Sequence, residues 1–409
     1  MYSHGIVVII NVIILGEFVM HYPQHSRYRY LIIGLLVLGG LGLLFTFIRS
    51  ALSPDKPAAK SAPTTVVARA KPRPKLKQQP ARLVTTVVKN QTIDHYLTNL
   101  HFSGTALVVR NGTVILRKAY GLRDREQKLP NETTTPYYIG SAEKAIVATA
   151  ILQLQDAGKL KVTDPVSKYI AGFPNGQKIT LKNLLNHTSG LVGHHETNAA
   201  MSPSALVADI KKQGINAQPG QWHYLDGNYT VLAYLVEKLS GQSLMTYLGK
   251  HVFQPAGMTQ TGTYRTFKQV RNHSTGYQVR DGKYVKPAVG NLSQLFGVGN
   301  LYMPVTDMYQ FDHALMHGKL ISKRARKIMF TPGSTSTYGM GFYCNPGSYS
   351  SHGIVSGWNV LNSFSPSGKT YIVVMANVQN NIHSFGRVAS DIYGFLNQAD
   401  EAQAPTTQN

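Results

Sequence analysis

An apolar-periodic stretch of eleven residues, Ala145 to Gln155, constrains this chain more than any other feature. Ile146, Ala150 and Leu154 recur at i, i+4 and i+8, with Val147 and Ile151 beside them, and Ala157-Gly158 closes the run. That pattern predicts a buried helix, so the rest of the domain must surround it. Just before it stands Gly140, then Ser141-Ala142-Glu143-Lys144. Ser141 then falls at or near the helix N-terminus, where free amides favour negative charge. Ser141 and Lys144 are three apart and share a face, so an ammonium can reach a hydroxyl. A serine nucleophile with a nearby proton acceptor needs this arrangement. Alone, the spacing more often marks a solvated helix start, and it recurs at Ser53-Pro54-Asp55-Lys56, where Pro54 favours an extended chain.

Around this helix the pattern predicts an antiparallel sheet fed by both ends of a domain, with helices inserted between. Thr105–Arg110 and Thr113–Ala119 flank Asn111-Gly112, a hairpin signal. Gly339–Tyr343, Asn359–Phe364 and Tyr371–Asn377 read as late strands, and Ser384–Leu396 as a closing helix. Leu181–Leu185 and Tyr229–Leu239 read as helices in between.

The chain has 409 residues and a net charge of +22. Residues 1–90 carry 12 Lys/Arg against 2 acids; residues 91–409 carry 29 against 17. Such an excess suits an anionic environment. No zinc-finger spacing or RNA-binding aromatic motif occurs, so nucleic acid is not the expected partner. The single Cys344 excludes an intrachain disulfide. His194-His195-Glu196 lacks the helical spacing of a zinc motif, so no metal or cofactor is expected. Residues 1–29 form a short N-terminal segment, with Met20 as the expected start of translation. Tyr30 to Ile48 are nineteen residues without a charge and predict a transmembrane anchor. A basic Pro/Ala/Lys linker follows over 49–91, then a globular domain over 92–397 and a disordered tail over 398–409.

Several stretches together resemble one family. Leu184-Leu185-Asn186-His187-Thr188-Ser189-Gly190-Leu191 is similar to its LLxHTSGL signature. Pro219-Gly220-Gln221-Trp222-His223-Tyr224 is similar to its approach to a catalytic tyrosine, one residue shorter, and Gln254–Thr261 resembles its xPLGMxxT. With Ser141-x-x-Lys144 in the right order, the chain resembles the serine β-lactamase and penicillin-binding-protein superfamily. The branch it resembles is the class C-like serine hydrolases, which include D-alanyl-D-alanine carboxypeptidases and teichoic-acid D-alanyl esterases. The resemblance covers roughly residues 95–395. It implies an α/β (α+β), β-lactamase-like fold: an antiparallel sheet flanked by helices, with an all-helical subdomain.

The resemblance also implies roles. Ser141 attacks a carbonyl and forms an acyl-enzyme. Lys144 is the first candidate base, its pKa expected to fall through burial and neighbouring positive charge; Tyr224 is the second, shuttling a proton to the leaving group. The family's Tyr-x-Asn reads here Tyr224-Leu225-Asp226, so an acceptor-only acid replaces an amide. Asp226 would hold Lys144 charged, favour a substrate ammonium such as that of a D-alanyl ester, or simply cap a helix starting near Asn228. The third motif is matched by Ser351-His352-Gly353, with His352 in the first or the middle position. The amide after Gly353, at Ile354 or Val355, would join that of Ser141 in an oxyanion hole. Tyr343-Cys344-Asn345 and Lys369-Thr370-Tyr371 read as chance matches, and Glu143 as solvated or paired.

Membrane-flanking charge alone, Arg27 and Arg29 against Arg49, Lys56 and Lys60, places the C-terminal domain in the cytoplasm. The resemblance implies the opposite: an extracellular hydrolase of cell-envelope D-alanyl bonds, in teichoic acid or a peptidoglycan stem peptide. The basic linker would then face an anionic wall polymer. The alternatives are a β-lactamase and a non-catalytic sensor or binding module that keeps the fold.

Overall fold

The Asn111-Gly112 pair takes positive φ at both residues (49° and 74°), as a tight two-residue hairpin turn requires. It joins the strands β2 (Gly104–Arg110) and β3 (Thr113–Tyr120). In this computed structural model the residues described are 85–403, all within one compact unit. The short strand β1 (Val87–Val88) and helix α1 (Gln91–Asn99) precede the hairpin, so the sheet takes in part of the stretch expected as linker. The expected membrane span, Tyr30 to Ile48, and the linker up to residue 84 lie outside the described residues. Among the described residues no helix is long and apolar enough to cross a membrane.

Between the two sheet-forming ends run the helices α2 (Glu143–Asp156), α3 (Leu181–Leu185), α4 (Pro203–Gln213), α5 (Asp226–Ser240), α6 (Val305–Met316) and the short α7 (Lys323–Met329). The chain then returns to the sheet through β4 (Tyr343–Asn345), β5 (Ser348–Val355), β6 (Trp358–Phe364) and β7 (Thr370–Ala376), and ends in α8 (Phe385–Gln403). The seven strands lie in the order β1-β3-β2-β7-β6-β5-β4, every pair antiparallel. This is the expected architecture, with both ends of the domain meeting at the β2–β7 pair. Two local differences stand out. Gly339–Phe342 forms an irregular turn instead of a strand, and α8 continues to Gln403, into the expected tail.

The period of two along β2 and β7 sorts their side chains into two cores. Leu107, Val109, Val373 and Met375 face the helical part, whereas Ala106, Val108, Ile372 and Val374 face α1 and α8. Both strands are therefore apolar almost throughout, as strands covered on both faces are. Helix α2 is buried nearly all round, in keeping with its apolar periodicity.

Two buried acids hold this frame together. Glu143 is fully buried rather than solvated, and its Oε2 accepts the Leu301 amide at 3.0 Å. Burial pushes its pKa up to about 7 against these backbone donors. Asp312 on α6 is also fully buried and accepts the Asn362 amide of β6 at 2.8 and 2.9 Å. Desolvation raises its pKa well above the carboxylate range. The Oδ1 of Asn362 in turn accepts from the Ser351 hydroxyl on β5, so a helix is tied to two strands through side chains.

Two outcomes follow. Asn362→Leu leaves both Asp312 and Ser351 without their partner, and urea denaturation should show a loss of roughly 2–3 kcal/mol. Glu143 has a folded pKa above its unfolded 4.5, so its contribution is fully present below that pH. Stability is lost as pH rises from 4.5 toward 7, when the unfolded chain ionises first. Denaturation midpoints of Glu143→Gln, which keeps an acceptor for Leu301, should fall less across that window than those of the parent. Parallel curves would refute the assignment.

Candidate active site

Gly140 turns the chain into the helix with φ of +52°, and residues 140–142 form a single 3-10 turn ahead of α2. A Cβ on Gly140 would lie 2.6 Å from the Ile354 nitrogen. A Cβ on Gly353 would lie 1.8 Å from the Ile139 carbonyl oxygen and 2.8 Å from the Ser141 nitrogen. The turn carrying Ser141 and the edge of β5 thus meet backbone to backbone, and glycine is required on both sides. Strand β4 pairs only with Ser348–Ser350, so it does not extend alongside the rest of β5 where the turn docks.

The Lys144 ammonium sits at the centre of the site. Its Nζ donates to the Ser141 Oγ at 2.8 Å, approaches the Val298 carbonyl oxygen at 3.4 Å and pairs with Asp226 Oδ1 at 2.9 Å. It also lies 5.0 Å from the centre of the Tyr224 ring. Lys144 is wholly buried, whereas the Asp226 side chain is 42% exposed. Burial alone pushes the lysine toward neutrality. The Asp226 carboxylate and the Tyr224 side chain oppose this and prevail, so its pKa is raised above the ordinary value. This reverses the expectation of a depressed lysine. The expected positive neighbour is a carboxylate here, brought in by a helix some eighty residues later in the chain.

Asp226 opens α5, two residues before the expected start near Asn228. The His187 segment fixes that start. The Leu225 amide donates to His187 Nδ1 at 3.1 Å, the Asn228 amide lies 3.2 Å from the same nitrogen, and the His223 amide donates to the His187 carbonyl at 2.8 Å. The Tyr224 ring lies on the imidazole at 4.2 Å between centroids. The Ser189 hydroxyl donates to Asn228 Oδ1 at 2.5 Å. Desolvation first, and the Lys144 charge second, hold the His187 pKa well below the usual histidine value, so it is a neutral acceptor. His187-Thr188-Ser189-Gly190 therefore acts as a clamp that places Tyr224 and Asp226 against Lys144.

Ser141, Tyr224, His352 and Ile354 line one cavity of about 250 Å³, together with Ser351, Gly341, Tyr338 and Tyr343. The wholly buried Lys144 lies behind Ser141, the partly exposed Asp226 pairs with it, and Gly353 supports the turn that carries Ser141. Ser351 and Gly353 are buried while His352 and Ile354 point outward, with His352 Nε2 2.7 Å from Asn359 Oδ1. Tyr338 and Tyr343 are additions to the site. The triplet Tyr343-Cys344-Asn345, expected as a chance match, contributes its tyrosine to the cavity wall. Gly341, with φ of +87°, lets this segment lie on α2: a Cβ there would be 2.5 Å from the Ala145 Cα. The glycines of Gly339-Met340-Gly341 were the one sequence signal for that close approach.

The family profile described as Beta-lactamase matches residues 90–392. The chain is 51% identical over 315 residues to the penicillin-binding protein PbpX of Bacillus subtilis (strain 168), covering 77% of this chain and 80% of that one. It is 32% identical over 265 residues to the teichoic acid D-alanine hydrolase of Staphylococcus aureus (strain MRSA252), covering 63% and 66%. Among solved structures, FmtA from Staphylococcus aureus superimposes with a TM-score of 0.69 at 28% identity, covering 75% of this chain and 89% of that one. A Ser-x-x-Lys pair at a buried helix start, on this sheet and with these relatives, places the chain in the β-lactamase family, among the serine hydrolases of the penicillin-binding-protein superfamily.

Proposed function

We propose that this chain is a serine hydrolase of D-alanyl esters on teichoic acid, working through an acyl-enzyme on Ser141. The observation that carries the reading is the array in which the buried Lys144 joins Ser141 at 2.8 Å to Asp226 at 2.9 Å. In the neutral fraction of Lys144, its nitrogen takes the Ser141 proton as Oγ attacks the ester carbonyl. The amides of Ser141 and Ile354, held together by Gly140 and Gly353, receive the developing oxyanion. Lys144 passes that proton through Tyr224 to the departing polyol oxygen, and water then releases D-alanine from the acyl-serine.

Asp226 supports the choice of substrate. Its carboxylate neutralises Lys144, and its side chain stays 42% exposed, which leaves it open to pairing with the free ammonium of a D-alanyl group. The teichoic acid D-alanine hydrolase relative points the same way. A D-Ala-D-Ala carboxypeptidase shares the acylation step, and the similarity to PbpX, a penicillin-binding protein by description, keeps that as the second reading. We place the domain outside the cell, anchored by Tyr30 to Ile48, since the substrate is an envelope polymer. Protease cleavage of the linker in intact cells checks this.

D-alanine release from D-alanylated lipoteichoic acid and from a D-Ala-D-Ala peptide decides between the two substrates. Ser141→Ala should lower release by at least about a thousandfold. Equal release by both proteins would leave Ser141 without a chemical role, as in a sensor. In Asp226→Asn the raised pKa of Lys144 loses its main support, so the rising limb of the pH–rate profile should move to lower pH. The same variant should lose its preference for esters bearing a free amine over their N-acetylated forms. An unmoved limb would transfer the base role to Tyr224.

A further inference from the structure

A second concave surface lies further toward the start of β5. This groove, of about 760 Å³, is lined by Lys323, Arg324, Arg326 and Lys327 of α7, with no carboxylate among its lining residues. Lys323, Arg324 and Lys327 are exposed. Arg326 is held in place, its Nη1 donating to the Leu315 and Met316 carbonyls at 3.2 and 2.6 Å, so one guanidinium is fixed over the end of α6. The nearby Asp156 is engaged elsewhere, accepting the Ser322 amide and hydroxyl at 2.8 Å each.

The floor of the groove contains Phe330 and Tyr349, stacked on each other at 4.0 Å and 3°. Tyr349 and Ser351 are two apart on β5 and share a face, about 7 Å along the strand. Tyr349 lines the groove and Ser351 lines the Ser141 cavity, so the two concavities follow one strand. Resting on the ester-hydrolase reading above, we propose that this groove binds the polyol-phosphate chain of teichoic acid and presents its D-alanyl esters to Ser141.

Several observations favour this occupant. The groove clusters four cations of one short helix, three of them exposed, with no carboxylate among them, which suits a polymer carrying one anion per repeat. Its two aromatic rings are half-buried and stacked on each other, so they present little free face to nucleobases. It is concave, whereas a lipid surface would be met by a flat or protruding patch.

The test uses full-length protein. Ser141→Ala, and the same protein with Lys323→Glu, Arg324→Glu and Lys327→Glu added, are titrated with poly(glycerol phosphate) stripped of D-alanine. Anionic phospholipid vesicles and a short single-stranded DNA serve as comparisons. Both proteins share the basic linker, so the difference between them reports the groove. Affinity for the polymer should fall about tenfold or more, with a shallower salt dependence. Equal polymer affinity, or an equal loss toward DNA or vesicles, would overturn the proposal. With Ser141 intact, the charge-reversed enzyme should hydrolyse D-alanine methyl ester within about twofold of the parent, since α7 does not touch the reacting atoms. Retained small-ester activity also certifies the fold; should it be lost, the milder pair Arg324→Gln and Lys327→Gln replaces the triple variant. A parent enzyme inactive on every D-alanyl ester would sink the reaction reading, while the titration still judges the groove.

Discussion

The contact between Gly140 and Gly353 is the constraint on which the site depends. Two segments more than two hundred residues apart meet with no side chain between them. One is the turn into the most buried helix of the domain; the other is the part of β5 that β4 leaves open. Because the helix cannot move within its apolar surroundings, and β5 is locked to β6 over seven residue pairs, the Ser141 and Ile354 amides have little freedom to separate. Preorganised donors of this kind lose no reorganisation energy when charge develops on a substrate oxygen.

Behind that contact the electrostatics oppose one another. A lysine this deeply buried would ordinarily shed its proton, which would suit a general base. The Asp226 carboxylate reverses the balance and keeps the ammonium on the serine hydroxyl. The resting site is therefore charged and bonded, with the ammonium held between Ser141 and Asp226. A substrate cation near the exposed side of Asp226 would weaken the carboxylate's hold on Lys144 by competing for the same negative charge. Under the proposed ester hydrolysis, acid in place of amide at this position would link substrate recognition to activation of Ser141.

Much of the fold was legible because it rests on local rules. Asn111-Gly112 demanded a hairpin, and the i, i+4, i+8 apolar run demanded a buried helix around which the sheet and other helices had to close. Ser141, Lys144 and Tyr224 were legible as spaced motifs. The charge state of Lys144 was not, because its deciding partner arrives from another helix and only the folded chain sets the 2.9 Å contact. Glu143 was left open between solvated and paired, and only the folded chain shows that it is buried, with the Leu301 amide as its partner inside the core. Tyr338 sits just before an irregular segment and Tyr343 opens β4 just after it, and only the glycines between them hinted that the backbone passes close to α2.

The distribution of charge gives the domain a reason to be basic beyond its linker. A hydrolase acting on one small ester needs few cations, yet residues 91–409 carry 29 Lys/Arg against 17 acids. A polymer substrate changes that requirement, since each ester is a minor group on a long anion and the reacting atoms alone provide little binding. Cations placed outside the cavity can hold the chain while successive esters are cleaved, and they contribute to binding without touching the transition state. Such contacts would also suit substrate and product almost equally, because the phosphates remain after the D-alanine has left. Under that reading the exposed Asp226 carboxylate would supply the discrimination that the groove cannot: it would recognise the ammonium that only the uncleaved repeat carries, so a stripped segment would be free to move on.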